Sequence, residues 1–305
     1  MKILILGSNG LVGSSLKRTF DKEDSYSVLA STRSDTNLFS LEETKNLIKN
    51  TKPDLLINAA AKVGGIYAND NNRTDFLLEN IKINLNVLEA IKDYPDTGMI
   101  NLGSSCIYPL DAPNPINESM IMSGKLEPTN SPYAVAKLTA IELGNSISTE
   151  YGNKIINLMP TNLYGPGDNF SALNSHVIPG LIFRMYAAKK EKKSEFKIWG
   201  SGKPLREFLY VDDLSFAVKF IIENDINEQL LNIGSGHEIS IYSLAEKVKK
   251  LVGFSGELAF DASKPDGNPR KLLDSSKIKN YGWTAKFNID EGLENTYKWF
   301  KSKFS

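Results

Sequence analysis

Residues 3–6 (Ile3, Leu4, Ile5, Leu6) are apolar without a break, the pattern of a short strand buried on both faces. Similar runs recur at residues 28–30, ending near Arg33, and at 55–57, with mainly apolar strands also at 99–102 and 155–158. Segments with helical periodicity lie between them, at residues 14–20, 41–49, 74–92 and 132–151. The third is the clearest, with Phe76, Leu77, Ile81, Leu85, Leu88 and Ile91 on one helical spacing. Strands alternating with helices predict an α/β fold, a doubly wound parallel sheet joined by right-handed crossovers.

After Pro160 the pattern changes. Prolines and glycines become frequent, and residues 189–193 are a charge run expected at a solvated helix end. Helices are predicted at 178–188 and 243–252. Residues 206–222 and 230–234 read as a return to the first lobe. The expected division is therefore discontinuous: 1–165 with about 206–235 in one lobe, and about 166–205 with 236–305 in a smaller C-terminal substrate lobe.

Composition narrows the function classes. Lys+Arg and Asp+Glu both number 36 in 305 residues, so nucleic acid gains no long-range attraction. The single cysteine, Cys106, rules out an internal disulfide and fits a reducing, cytoplasmic setting. No stretch reaches the roughly 18–20 apolar residues of a membrane span, and the N-terminal run is too short for a signal peptide. No further ligands gather around Cys106 and the two histidines, so no metal is expected.

The first strand runs into Gly7-Ser8-Asn9-Gly10-Leu11-Val12-Gly13 and then a helix. A G-x-x-G-x-x-G loop in that setting predicts a Rossmann-type dinucleotide site. Glycines let the backbone approach a pyrophosphate, and the helix N-terminus offers free N–H groups. At the end of the second strand, Arg33 suits the 2′-phosphate of NADP(H), while Asp35 keeps NAD open.

Tyr133-Ala134-Val135-Ala136-Lys137 is Y-x-x-x-K, which places both side chains on one helical face. The lysine charge is expected to lower the phenol pKa, so that Tyr133 trades a proton with a carbonyl oxygen. Y-x-x-x-K alone has little weight. It gains some from Gly103-Ser104-Ser105-Cys106-Ile107-Tyr108-Pro109 at the end of a strand, where open α/β sheets bind ligands. Ser104 there can hydrogen-bond the carbonyl.

Together these segments resemble the extended short-chain dehydrogenase/reductases, and within them the GDP-L-fucose synthases. The resemblance also rests on Ala59-Ala60-Ala61-Lys62-Val63-Gly64-Gly65-Ile66, Leu126-Glu127-Pro128-Thr129-Asn130, Met159-Pro160-Thr161-Asn162-Leu163-Tyr164-Gly165-Pro166 and Ser175-His176-Val177-Ile178-Pro179. Trp199-Gly200-Ser201-Gly202, Arg206-Glu207-Phe208-Leu209-Tyr210-Val211-Asp212-Asp213 and Asp261-Ala262-Ser263-Lys264-Pro265-Asp266-Gly267 extend it over the whole chain.

The resemblance implies inversion of C3 and C5 of a GDP-4-keto-6-deoxy sugar, then reduction of C4 with NADPH. Cys106 matches the base and His176 the acid. Ser104 and Tyr133 match the groups on the C4 oxygen, and Lys137 the residue that tunes Tyr133 and holds the nicotinamide ribose. Cofactor contacts are implied at Gly7, Asn9, Gly10, Leu11, Val12, Gly13, Arg33, Asn37 and Leu38. They are also implied at Ala59, Ala60, Ala61, Leu102, Gly103, Ser104, Tyr133, Lys137, Pro160, Asn162, Leu163 and His176. Arg184, Trp199, Arg206 and Asp266 match substrate contacts, with Lys264 and Arg270 in a loop beside them. His237 is given no chemistry. A homodimer through the helices at 74–92 and 132–151 is expected. Tyr67 departs from the pattern near the sugar site. A related GDP-4-keto sugar such as a heptose, another nucleotide-sugar epimerase or dehydratase, and a non-catalytic NADP-sensing protein remain open.

Overall fold

The computed structural model describes residues 1–261, 263 and 266–304. The first half of the chain runs β1 (Lys2–Leu6), α1 (Leu11–Phe20), β2 (Ser27–Ser31), α2 (Leu41–Thr51), β3 (Leu55–Asn58), α3 (Ile66–Asn71), α4 (Arg73–Ile91), β4 (Gly98–Leu102), α5 (Ser131–Tyr151) and β5 (Ile155–Pro160). The second half runs β6 (Asn162–Tyr164), α6 (Val177–Lys190), β7 (Glu195–Trp199), β8 (Leu205–Tyr210), α7 (Val211–Glu223), β9 (Leu230–Ile233), β10 (Glu238–Ser240), α8 (Ile241–Val252), β11 (Glu257–Asp261), β12 (Arg270–Lys271), α9 (Ser276–Asn280) and α10 (Ile289–Phe304).

The central sheet has the order β2-β1-β3-β4-β5-β9, and every pair in it is parallel. This is the doubly wound, Rossmann-type architecture expected. The unbroken apolar strands have a simple cause. Ile3 and Ile5 pack with Leu16, Phe20, Leu214 and Val218 of α1 and α7. Leu4 and Leu6 face the other way, onto Val87, Leu88 and Ala140 of α4 and α5. Strand order reverses at β1, so a crevice opens between the carboxyl ends of β1 and β3, where such sheets take ligands.

Two features of this lobe escaped the apolar pattern. Leu85 of α4 is exposed, whereas Asn80 and Asn84 are buried on the inner face. The second is a ladder of amides across the sheet. Asn58 donates to Asn84 (3.2 Å) and Asn101 (3.4 Å), Asn101 donates to Asn157 (3.0 Å), and Asn157 donates to the Gln229 carbonyl (3.1 Å). Asn58 also accepts from the Ala60 N–H, which pins the loop after β3. Each of these buried side chains finds at least one partner, although the Asn84 Nδ2 is left without one.

The second lobe is built on β10-β8-β12 with β6 on β8, and on the parallel pair β7–β11. Its core gathers Ile182 and Met185 of α6, Phe196, Leu244 and Val248 of α8, and Phe300 of α10. After residue 206 the chain serves both sheets. Helix α7 packs on α1 and β9 closes the central sheet, but β8 stays in the second sheet. Buried Glu207 holds it there, accepting from the N–H groups of Gly236 (2.7 Å) and Leu273 (3.1 Å).

Candidate active site

The glycine loop supports the carboxyl end of β1. Gly7 has φ +73°, and a Cβ on it would lie 2.8 Å from Ala60 Cα. A Cβ on Gly13 would lie 2.2 Å from the Gly7 carbonyl oxygen, so α1 starts hard against β1. The first turn of α1 carries no acidic residue, and its cap, Gly10, offers no side chain to the free amides. The turn is therefore fitted to an anion. Leu11, Val12 and Gly13 belong to this turn, and Val12 packs its side chain into the core, leaving its amide as the group to offer.

Beside the loop lies a cavity of about 280 Å³. Gly7, Asn9, Gly10, Arg33, Asn37, Leu38, Ala59, Ala60 and Ala61, all candidate cofactor contacts, line it. Ser31, Thr32, Ser34, Thr36, Phe39 and Ile83 line it as well and were missed: the small polar residues carry no periodic signal, and Phe39 and Ile83 read as ordinary packing residues. Arg33 is exposed, with Cζ 5.8 Å from the centre of the Phe39 ring. Asp35 turns away, its carboxylate accepting from the Thr32 N–H (2.8 Å) and Oγ1 (2.6 Å). Those bonds hold its pKa below the usual carboxylate range. The cavity thus presents a cation and no free acid, which fits a ribose phosphate better than a bare ribose.

Ser104, Cys106, Tyr133 and Lys137 meet at the carboxyl end of β4. Ser104 caps a short 3₁₀ turn, accepting from the Cys106 N–H at 3.2 Å, and its hydroxyl lies near enough to Tyr133 to favour the phenolate. Lys137 is buried, and its Nζ donates to the Leu102 carbonyl at 2.7 Å. Burial pushes its pKa down to about 8. Nζ lies 5.8 Å from the centre of the Tyr133 ring. The expected lowering of the phenol pKa is not found. Burial first, and then the neighbouring Cys106, raise it, against the lowering by Ser104. Lys137 is directed at the Leu102 carbonyl and does not offset the desolvation of the phenol. Of the other implied cofactor contacts, Gly103 follows β4 and Pro160 ends β5. Asn162 donates its amide to the Glu207 carbonyl (2.8 Å), and Leu163 packs on the first core.

His176 arrives from the other lobe. It precedes α6, and the loop before it is tied to the loop after β3 by the Gly65 N–H donating to the Asn174 carbonyl (3.2 Å). Its ring opens to solvent, yet the protein packed around the cleft lowers its pKa by desolvation. Arg184 places Cζ 4.5 Å from the Trp199 ring centre and 5.4 Å from that of Phe196, and burial pushes its pKa down to about 10. One face of Trp199 is therefore covered by a guanidinium. Arg206 donates to the carbonyls of Leu205 (2.8 Å) and Asp266 (3.4 Å). Its pKa is lowered by burial and raised in part by Asp266, Cys106 and Glu127. Asp266 accepts from the Ser201 N–H (2.6 Å) and Oγ (2.8 Å), so its carboxylate braces the turn after Trp199. Arg270 is paired with Glu238 at 2.9 Å, and Lys264 lies outside the described residues. Among the described residues no cluster has the makings of a metal site.

A dinucleotide crevice beside a half-buried tyrosine and a buried lysine defines a nucleotide-dependent enzyme that works on a carbonyl. The chain belongs to the NAD dependent epimerase/dehydratase family, whose model matches residues 3–234. It is 46% identical over 300 residues to "Probable GDP-L-fucose synthase 1" of Oryza sativa subsp. japonica, covering 98% of this chain and 92% of that one. Among solved structures it is similar to a GDP-6-OMe-4-keto-L-xylo-heptose reductase from C. jejuni (TM-score 0.93, 31% identity, 99% of this chain and 98% of that one). It is also similar to a GDP-L-fucose synthetase from Naegleria fowleri bound to NADP (TM-score 0.88, 28% identity, 99% and 94%).

Proposed function

We propose that the protein is an NADPH-dependent epimerase-reductase that converts GDP-4-keto-6-deoxy-D-mannose to GDP-L-fucose. The observation that carries this reading is the meeting of Ser104, Cys106, Tyr133 and Lys137 at one sheet end. Full-length likeness to a relative called a GDP-L-fucose synthase supports the substrate, and the NADP-bound neighbour supports the cofactor.

The chemistry follows from a ketone at C4, which acidifies the hydrogens on C3 and C5. Cys106, as thiolate, removes such a proton and becomes a thiol while charge moves to the C4 oxygen. Ser104 and Tyr133 stabilise that charge by hydrogen bonding. His176, as imidazolium, delivers a proton to the opposite face and is left neutral; proton exchange with solvent then restores thiolate and imidazolium before the second carbon is inverted. Desolvation favours the neutral form of His176, and the diphosphate charges of substrate and cofactor would push it back towards protonation. NADPH, when bound by the glycine loop, Arg33 and Lys137, supplies the hydride that reduces C4. Tyr133 gives its phenolic proton to the C4 oxygen, and its burial keeps that proton in place until it is needed. Lys137 then steadies the phenolate. Arg184 and Arg206 hold the substrate diphosphate, with Trp199 and the turn braced by Asp266 at the nucleotide end.

The division into a cofactor lobe and a sugar lobe belongs to the same reading. So does a homodimer through α4 and α5, supported by exposed Leu78, Leu85 and Val135. Sedimentation equilibrium checks it, and a monomer at working concentration counts against it. No described helix is long and apolar enough to cross a membrane. The single cysteine and the reduced cofactor fit the cytoplasm.

Purified protein is expected to consume NADPH with GDP-4-keto-6-deoxy-D-mannose and yield a fucose-configured product by NMR. No consumption would sink the reading. The heptose reductase likeness favours one rival, a GDP-4-keto heptose, and kcat/KM for the two sugars decides between them.

A further inference from the structure

Asn130 sits at the N-cap of α5, one turn before Tyr133, yet its side chain makes no cap bond. Asparagine is among the best N-caps, because its oxygen satisfies a free amide of the first turn. Here its Nδ2 instead donates to Cys106 Sγ, at 3.5 Å. Its Oδ1 is buried without a hydrogen-bond partner. Two local preferences are therefore broken in one residue, both beside the proposed base. Such breaks are expected where function demands them.

The backbone under Asn130 is held tightly. The Glu127 carboxylate accepts from the Thr129 N–H (3.1 Å), the Thr129 Oγ1 (2.6 Å) and the Asn130 N–H (3.1 Å). Glu127 is also close enough to Arg206 for the two charges to interact. One loop thus links the diphosphate-binding arginine, through Glu127 and Asn130, to the cysteine sulfur.

We infer that Asn130 is a positioning residue for the epimerisation half-reaction, an inference that rests on the function proposed above. Its amide N–H fixes the direction of the Cys106 sulfur towards the sugar carbons. Glu127 presets the loop, so no ordering is left for the moment of binding.

The test separates the two halves of the reaction. Solvent deuterium uptake at C3 and C5 is measured with GDP-4-keto-6-deoxy-D-mannose, and reduction is measured separately on the already epimerised 4-ketone with NADPH. Asn130→Ala is expected to slow uptake by about tenfold or more while reduction changes by less than about threefold. Asn130→Asp keeps the size and the cap preference but turns a carboxylate towards the sulfur. Its uptake profile is expected to shift to higher pH by about one unit, an effect that loss of folding does not produce. Undiminished uptake in Asn130→Ala, an unshifted profile in Asn130→Asp, or equal losses in both halves would overturn the role of Asn130 alone. Wild-type protein that exchanges neither position overturns the epimerase reading and this inference with it.

Discussion

The ammonium of Lys137 points at the carbonyl of Leu102, 2.7 Å away, and not at the hydroxyl of Tyr133 four residues before it. The shared helical face brings the pair together, but the last residue of β4 decides where the charge goes. Burial governs both groups, pushing the phenol pKa up and the ammonium pKa down.

That burial has a measurable consequence. With a folded pKa of about 8 against an ordinary 10.5, Lys137 binds fewer protons in the folded chain than in the unfolded one. The penalty is complete below about pH 8 and fades as pH rises towards 10.5. Lys137→Met is therefore expected to lose reductase activity yet gain about 1–3 kcal/mol of stability at neutral pH, after allowance for the lost bond to Leu102. Thermal melts at rising pH check this, and the advantage over the parent should shrink above about pH 8.

Tyr133→Phe removes the proton donor and leaves the ring and its packing. NADPH consumption is expected to fall by about 10²–10⁴-fold. Deuterium uptake at C3 and C5 should survive, because Ser104 still bonds the C4 oxygen. Parallel loss of both activities in a folded variant would place Tyr133 in the first half-reaction too.

For Cys106→Ser the pattern is the reverse. A serine hydroxyl is a far weaker acid than a thiol, so proton removal from carbon should nearly stop. Reduction of a ketone already epimerised should continue within about threefold. Normal exchange at both carbons would show that Cys106 is not the base.

Arg33 lines the cavity while Asp35 is bound to Thr32, so cofactor choice rests on one cation. Arg33→Ala is expected to raise KM for NADPH by about tenfold or more and to leave KM for NADH nearly unchanged. Steady-state kinetics with the two cofactors check it. Equal effects on both would assign Arg33 to the surface.

Most of the first lobe was legible in the sequence because two faces of one sheet are buried there. Ile3 through Leu6 must be apolar throughout when alternate residues meet α1 and α4, and the glycine loop follows from the space a helix needs to start against a strand. Local spacing likewise announced Tyr133, Lys137 and the serine after β4. The second lobe was harder to read, since its strands are short, edge-exposed and mixed in direction, and several carry no clear alternation. Only the tertiary structure decided that β8 leaves the central sheet, that Asn80 and Asn84 face inward, and that Asp266 braces a turn. It also decided which way the Lys137 charge points and that Asn130 reaches the sulfur of Cys106. Those facts depend on groups far apart along the chain, or on a side chain choosing between two partners. Periodicity and spacing record only which residues can share a face, and the packed fold selects the partner.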